Sequence, residues 1–286
     1  MRALSDLIRA EISEKVDSRV SALAEAIAAQ HGAASRAVLF YGSCLREEQL
    51  DGLMLDFYLI VSDYHAAYPK RWLATANHLI PPNVFPFAHN GLAAKYAVLS
   101  EADFAVLCGP EASNVSVWAR FAQPVRLVWV AKGAEQAVVD AVCAAPLTLL
   151  SFASPMTQSQ DALDQWRTGF SLTYGCELRA ERTNRSGSII DADPDRYARV
   201  SAAIGNIRPV LFADRRWAKL RRRGKWLSVA RLAKASLTFA GGIDYLAWKI
   251  NRHAGTKIEI KPWQRRWPLL GAFVLVPRLL MQGAVR

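Results

Sequence analysis

The sequence is poor in paired cysteines, in long apolar runs and, toward its C-terminus, in acids. Its four cysteines, Cys44, Cys108, Cys143 and Cys176, are widely spaced and form no CxxC pair. That spacing argues against a zinc site or a disulfide framework and fits a reducing compartment. The apolar run LLGAFVLV at 269–276 falls far short of the roughly 20 residues that cross a bilayer. The opening stretch, MRALSDLIRAEISEKVDS, carries early acids and lacks an apolar h-region. It is expected to be a helix of the mature protein, neither a secretory signal nor a transit peptide. No internal repeat or low-complexity tract is evident.

What is present is a hydrophobic fraction of 52% over 286 residues. That excludes a disordered chain and suffices for one large domain or two modest ones. The net charge of +11 is unevenly spread. Residues 1–204 hold 18 Lys/Arg against 22 Asp/Glu, and residues 205–286 hold 18 against 3. An acidic body with a basic tail points to a polyanion or an anionic membrane as partner.

Helical spacing of apolar residues runs from Leu4 to Ile27 and stops at Gly32. AVLFY (37–41) predicts a buried strand ending at Gly42-Ser43, and LMLDFYLIV (53–61) a second. A helical turn is expected between them, over Leu45–Leu50. Residues 66–80 predict a helix, and PPNVFPFAHNG (81–91) reads as loop. AKYAVL (94–99) predicts a third strand. Ser100 with Asp103 gives an N-cap and helix start. PVRLVWV (124–130) predicts a fourth strand, with helices over 133–145 and 158–170.

Two of these strands carry the chemistry. Nucleotidyl transfer needs a cradle for a triphosphate and a carboxylate to hold Mg²⁺ between phosphate oxygens. A Gly42-Ser43 turn opening a helix supplies backbone N–H groups and a hydroxyl. Asp56, a charge inside an apolar strand, supplies the carboxylate, since such a charge is costly unless paired or coordinated. Lys95-Tyr96 on the third strand, with Arg120 and Arg126 near the fourth, offers cations for phosphoryl oxygens. Against this stands an ordinary strand-end turn with surface charges. SLTYGCELRAERTNR (171–185) is dense in Arg and Glu. It suits either a second anion or a solvated helix end.

The tail has its own signal. RRWAKLRRRGK (215–225) sets seven cations around Trp217 and Leu220. Trp with Arg/Lys beside Leu/Phe is the composition of interfacial helices. Nucleic acid would also attract this charge, but the apolar C-terminal stretch has no use there, so nucleic acid is the less expected partner. A helical subdomain with its apolar face in the core is the remaining reading.

Taken in order, YGS, LDFYLIV, KYAVLS, ARFAQPV and SLTYGCELRAER resemble the mitochondrial-type phosphatidate cytidylyltransferases, the translocator assembly and maintenance family. The resemblance covers about residues 36–200. It implies an α+β fold: a nucleotidyltransferase-like mixed sheet with flanking helices, then a mostly helical domain and a basic amphipathic segment. The expected divisions are 1–131 (catalytic), 132–214 (helical) and 215–286 (membrane-associating). It implies CTP, Mg²⁺ and phosphatidic acid as ligands, and CDP-diacylglycerol as product. By position, Gly42, Ser43, Lys95, Tyr96 and Arg120 would hold the nucleotide, Asp56 the metal, and Arg179 and Arg185 the phosphatidate. Asp56 and Lys95 would be the catalytic pair.

The chain departs from that pattern at Ala97, Gln123 and Glu177. Tyr58 stands where such enzymes carry a second carboxylate, leaving Asp51, Asp63 and Asp103 as substitutes, with Asp51 taken as the second metal ligand. The expected location is the cytoplasm, peripheral on the inner face of the cell membrane. The rival readings are a nucleotidyltransferase with a soluble or RNA acceptor, and a non-catalytic membrane-associated descendant.

Overall fold

The structure, a computed structural model, describes residues 2–46, 50–177, 189–238 and 261–262. Five strands form one mixed sheet: β1 Ser35–Tyr41, β2 Met54–Val61, β3 Asn83–His89, β4 Leu92–Ser100 and β5 Val125–Val130. The order across it is β3-β4-β2-β1-β5. β2 and β4 are parallel; the other neighbours are antiparallel. The architecture is α+β, as expected.

Helices cover both faces, so β1 and β2 are buried on both sides and read as near-continuous apolar runs. One face (Leu39, Tyr41, Tyr58, Ile60, Leu99) packs under α1 Arg2–Ile12, α5 Glu101–Cys108, α6 Trp118–Phe121, α7 Glu135–Ala153, α8 Ala162–Tyr174 and α9 Pro194–Ile204. The other (Val38, Phe40, Phe57, Leu59, Val98) packs under α2 Ser18–Ala29, α3 Tyr64–Ala67 and α4 Arg71–Leu79. Buried Arg196 on α9 makes a bidentate pair with Glu11 on α1. Glu135–Met156 is long and apolar enough to cross a bilayer, but 67% of its apolar window is buried within the body.

Several elements differ from the sequence expectation. The helical stretch 4–27 is two helices, because Asp17 caps α2 by accepting from Arg19 N at 2.8 Å. The helix expected over 66–80 is likewise two, α3 and α4. Residues 83–89, expected as loop, form β3. Pro86 is tolerated there because β3 is an edge strand. Asn90 and Gly91, both with positive φ, make the two-residue turn into β4 that Asn-Gly favours. α7 extends to Ala153 through Pro146.

The basic tail brings the largest correction. α10, Ala213–Thr238, starts in the core. Trp217 (1% exposed) and Leu220 (6%), expected as membrane anchors, join the same cluster as α1 and α7. Trp217 Nε1 donates to Phe152 O at 3.0 Å. A Cβ on Gly224 would stand 2.3 Å from Cys176 O, so the helix lies hard against the end of α8. The core therefore runs unbroken across 131/132 and 214/215.

Further along α10, Lys234 is buried. Burial, aided by the charge of Arg231, pushes its pKa down to about 7. Between about pH 7 and the ordinary lysine range, the unfolded chain binds a proton that the folded one releases. Stability should therefore rise with pH across that window. Lys234→Met should flatten the rise, read by urea denaturation at pH 7 and pH 9.

Candidate active site

β1 ends at Tyr41, and Gly42 follows with φ +96°, a conformation side chains other than glycine rarely adopt. A Cβ there would lie 3.4 Å from Asp56 Oδ2, so the turn rests directly on the Asp56 carboxylate. Tyr41 and Asp56 are cross-strand partners, as are Asp56 and Lys95. Lys95 Nζ stands 2.9 Å from Asp56 Oδ1 in a pair about a quarter exposed. Oδ1 itself is sealed from solvent and accepts no hydrogen bond; the ammonium is at ion-pair distance but off the hydrogen-bonding direction.

Arg120 reaches this face from α6. Its Nη1 donates to the Tyr41 hydroxyl at 3.2 Å, and its guanidinium lies 5.0 Å from the centre of that ring. Its Nε is sealed and without a hydrogen-bond partner. Burial works against the Arg120 charge and the carboxylates of Glu177 and Asp56 favour it, and arginine stays protonated at physiological pH. Burial likewise raises both phenols, with Arg120 opposing. Tyr41 and Tyr58 are therefore neutral groups at physiological pH, not bases.

Gly42, Asp56, Lys95 and Arg120 thus converge on one face of the sheet. Ser43 is exposed beside them and opens a 3-10 turn, Ser43–Arg46; residues 47–49 of the helical turn expected there lie outside the described residues. Tyr96 does not join them. It follows Lys95 by one residue on a strand and so points to the opposite face, packed with Phe85 and 3.2 Å from His31 Nε2.

Asp51 is exposed and paired with Arg19 at 3.2 Å. Asp63 caps α3 and lies seven residues past Asp56, roughly 20 Å at the rise of a strand. Asp103 accepts from the Tyr64 hydroxyl. Tyr58 is a core residue, 5.2 Å from the Tyr41 ring centre and 5.1 Å from that of Phe121. Arg126 is turned to Glu14. Arg179 and Arg185 lie outside the described residues.

These positions bear on magnesium. Among the described residues, no three His, Cys, Asp or Glu gather as a metal site. Magnesium often uses one or two carboxylates and fills its octahedron with water and substrate phosphates. Asp56 has one oxygen, Oδ1, held against Lys95 and the other, Oδ2, beneath the glycine turn, so Oδ2 is the atom that fits such a single-carboxylate site. Asp51, the expected second ligand, is paired with Arg19 instead.

Gly42→Ala should cost about 1–3 kcal/mol through backbone strain. If a nucleotide binds at this turn, the change should also weaken that binding, because the added methyl fills the space above Asp56. Thermal melting with and without CTP checks both effects.

Arg231 was missed by sequence reading as a member of this neighbourhood. It is held by Ser116 Oγ at 2.9 Å and Pro81 O at 2.8 Å. Burial lowers its pKa, while Glu177 favours its charge. The signal was available: Trp217, Leu220, Gly224, Leu227, Arg231 and Lys234 recur every three or four residues, one inward stripe of a helix.

No protein-family model and no curated protein matches the sequence. Among solved structures, the chain is similar to a crystal structure of a nucleotidyltransferase-like protein from Exiguobacterium sibiricum 255-15. The identity is 11% over 92% of each chain, with a TM-score of 0.30.

Proposed function

We propose that this chain is a cytidylyltransferase that joins CTP to phosphatidic acid at a membrane surface, giving CDP-diacylglycerol and pyrophosphate. The observation that carries nucleotidyl transfer is the Gly42 turn set on Asp56, with Lys95 beside it. Gly42 lets the triphosphate approach the backbone, and the exposed Ser43 hydroxyl donates to it. Lys95 shifts from Asp56 to phosphate oxygens, and Arg120 adds fixed positive charge. Magnesium, when bound to Asp56 and the triphosphate, supplies charge neutralisation at the phosphates.

A phosphate oxygen of phosphatidate forms the new bond to the α-phosphorus in line. The α–β bridge breaks, and pyrophosphate leaves with the electron pair. Phosphatidate is already ionised near neutral pH, so the neutral phenols of Tyr41 and Tyr58 are no obstacle. Positioning and charge neutralisation carry the rate.

The lipid acceptor is supported by the ordered sequence resemblance and by the outer face of α10. Lys219, Arg221, Arg222, Arg223 and Lys225 are exposed there beside Trp226, which is 76% exposed. Such a face suits anionic lipid on the inner side of a cell membrane. A second reading, a non-catalytic descendant of the fold, is favoured by the buried Tyr58 in the second carboxylate position.

The test is labelled CTP with Mg²⁺ and phosphatidic acid in detergent micelles. Label entering the organic phase only with phosphatidic acid supports the lipid enzyme. Label on RNA instead moves the acceptor. No label with any nucleoside triphosphate leaves the non-catalytic reading.

A further inference from the structure

α10 carries charge into the body of the protein as well as over its surface. Arg231 donates to Pro81 O (2.8 Å), Ser116 Oγ (2.9 Å) and Asn114 Oδ1 (3.4 Å). Lys234, 7% exposed, donates to the carbonyls of Ile80 and of Pro82, the latter at 2.9 Å. All five acceptors are uncharged. Ser116 lies four residues before Arg120, on the turn leading into α6, so Arg231 is fastened beside the arginine of the candidate site. Arg120 in turn has a sealed Nε with no hydrogen-bond partner.

Among the described residues the charges here do not balance. Arginine stays protonated at any physiological pH, and buried charge without a countercharge is costly. Glu177 is the carboxylate that bears on both arginines. Asp56 also bears on Arg120, but it is paired with Lys95. Among the described residues, two fixed positive charges face one negative, and Lys234 adds a third whenever it is protonated. A doubly charged anion would offset this surplus, and Arg with Lys is the donor set that recognises phosphate.

We propose that Arg120, Arg231 and Lys234 form a buried binding site for a phosphate dianion, and that it receives the phosphomonoester of the acceptor lipid. The second half rests on the cytidylyltransferase reading; the first does not. The basic helix would then join membrane to active site, its outer face meeting anionic lipid and its inner face holding the lipid's phosphate.

The test is calorimetric titration of the full chain, at constant ionic strength, with inorganic phosphate, with dihexanoyl phosphatidic acid and with CTP. Wild type should bind the first two in competition. Arg231→Gln should weaken both by about 10- to 100-fold, the scale of a lost charge-assisted contact, and leave CTP within about two-fold. Lys234→Met should act in the same direction, and it replaces Arg231→Gln if circular dichroism shows that variant unfolded.

Absence of phosphate and phosphatidate binding by wild type, or equal binding by the variants, overturns the site. Binding of inorganic phosphate with no preference for phosphatidate overturns the lipid assignment. Phosphate binding that depends on Arg231, in a protein without cytidylyl transfer, upholds the site while the enzyme reading fails. An unchanged KM for phosphatidate in an active Arg231→Gln enzyme overturns the acceptor role alone.

Discussion

Asp56→Asn is expected to lower the proposed cytidylyl transfer by about 10²- to 10³-fold, the scale lost when one preorganised electrostatic group is removed from a reacting centre. The change is isosteric, so the cross-strand register with Tyr41 and Lys95 should survive. What goes is the negative charge that pairs with Lys95 and that, in the proposed mechanism, would hold magnesium. Lys95 is 27% exposed and can turn to water, so the fold should tolerate the loss. Steady-state kinetics beside thermal melting separate the two roles an Asp–Lys pair can have. A catalytic carboxylate gives a collapse of kcat with melting almost unchanged. A merely structural ion pair gives a lowered Tm with turnover intact, and that result would sink the assignment of Asp56.

Asp56 was legible because a carboxylate inside LMLDFYLIV violates the pattern of a strand buried on both faces. The same double burial made AVLFY legible. Lys95 was legible, and the misplacement of Tyr96 was avoidable: consecutive residues on a strand face opposite sides of the sheet, so only one of the two can meet Asp56. β3 was lost to its proline, although the Asn90-Gly91 turn was the stronger signal. Asp51 could not be judged from sequence. Whether a turn carboxylate faces the strand beside it or an arginine across the fold is a tertiary matter, and here Arg19 takes it. Arg231 was hidden by its company, one cation among many, and only the buried stripe of α10 sets it apart.

That stripe makes the tail the place where sequence and structure differ most, and Trp217→Ala measures the difference. Composition alone makes Trp217 an interfacial anchor beside Lys219 and Arg221. In the fold it is 1% exposed, its indole packed against Trp118 and Phe152, with Nε1 donating to Phe152 O. Truncation should cost about 3–5 kcal/mol, since it opens a cavity and leaves that carbonyl unpaired. For a chain of this size that corresponds to a Tm lowered by roughly 10 °C. Trp226, nine residues on and 76% exposed, should behave in the opposite way. Its replacement by Ala should move stability by less than about 0.5 kcal/mol while weakening attachment to phosphatidate-containing liposomes. Melting and liposome sedimentation on the two variants decide the matter. A stable Trp217→Ala protein that no longer pellets with lipid would mean that α10 leaves the body to enter the membrane. A destabilised Trp217→Ala beside a stable, weakly pelleting Trp226→Ala would mean that one helix serves core and surface through opposite faces.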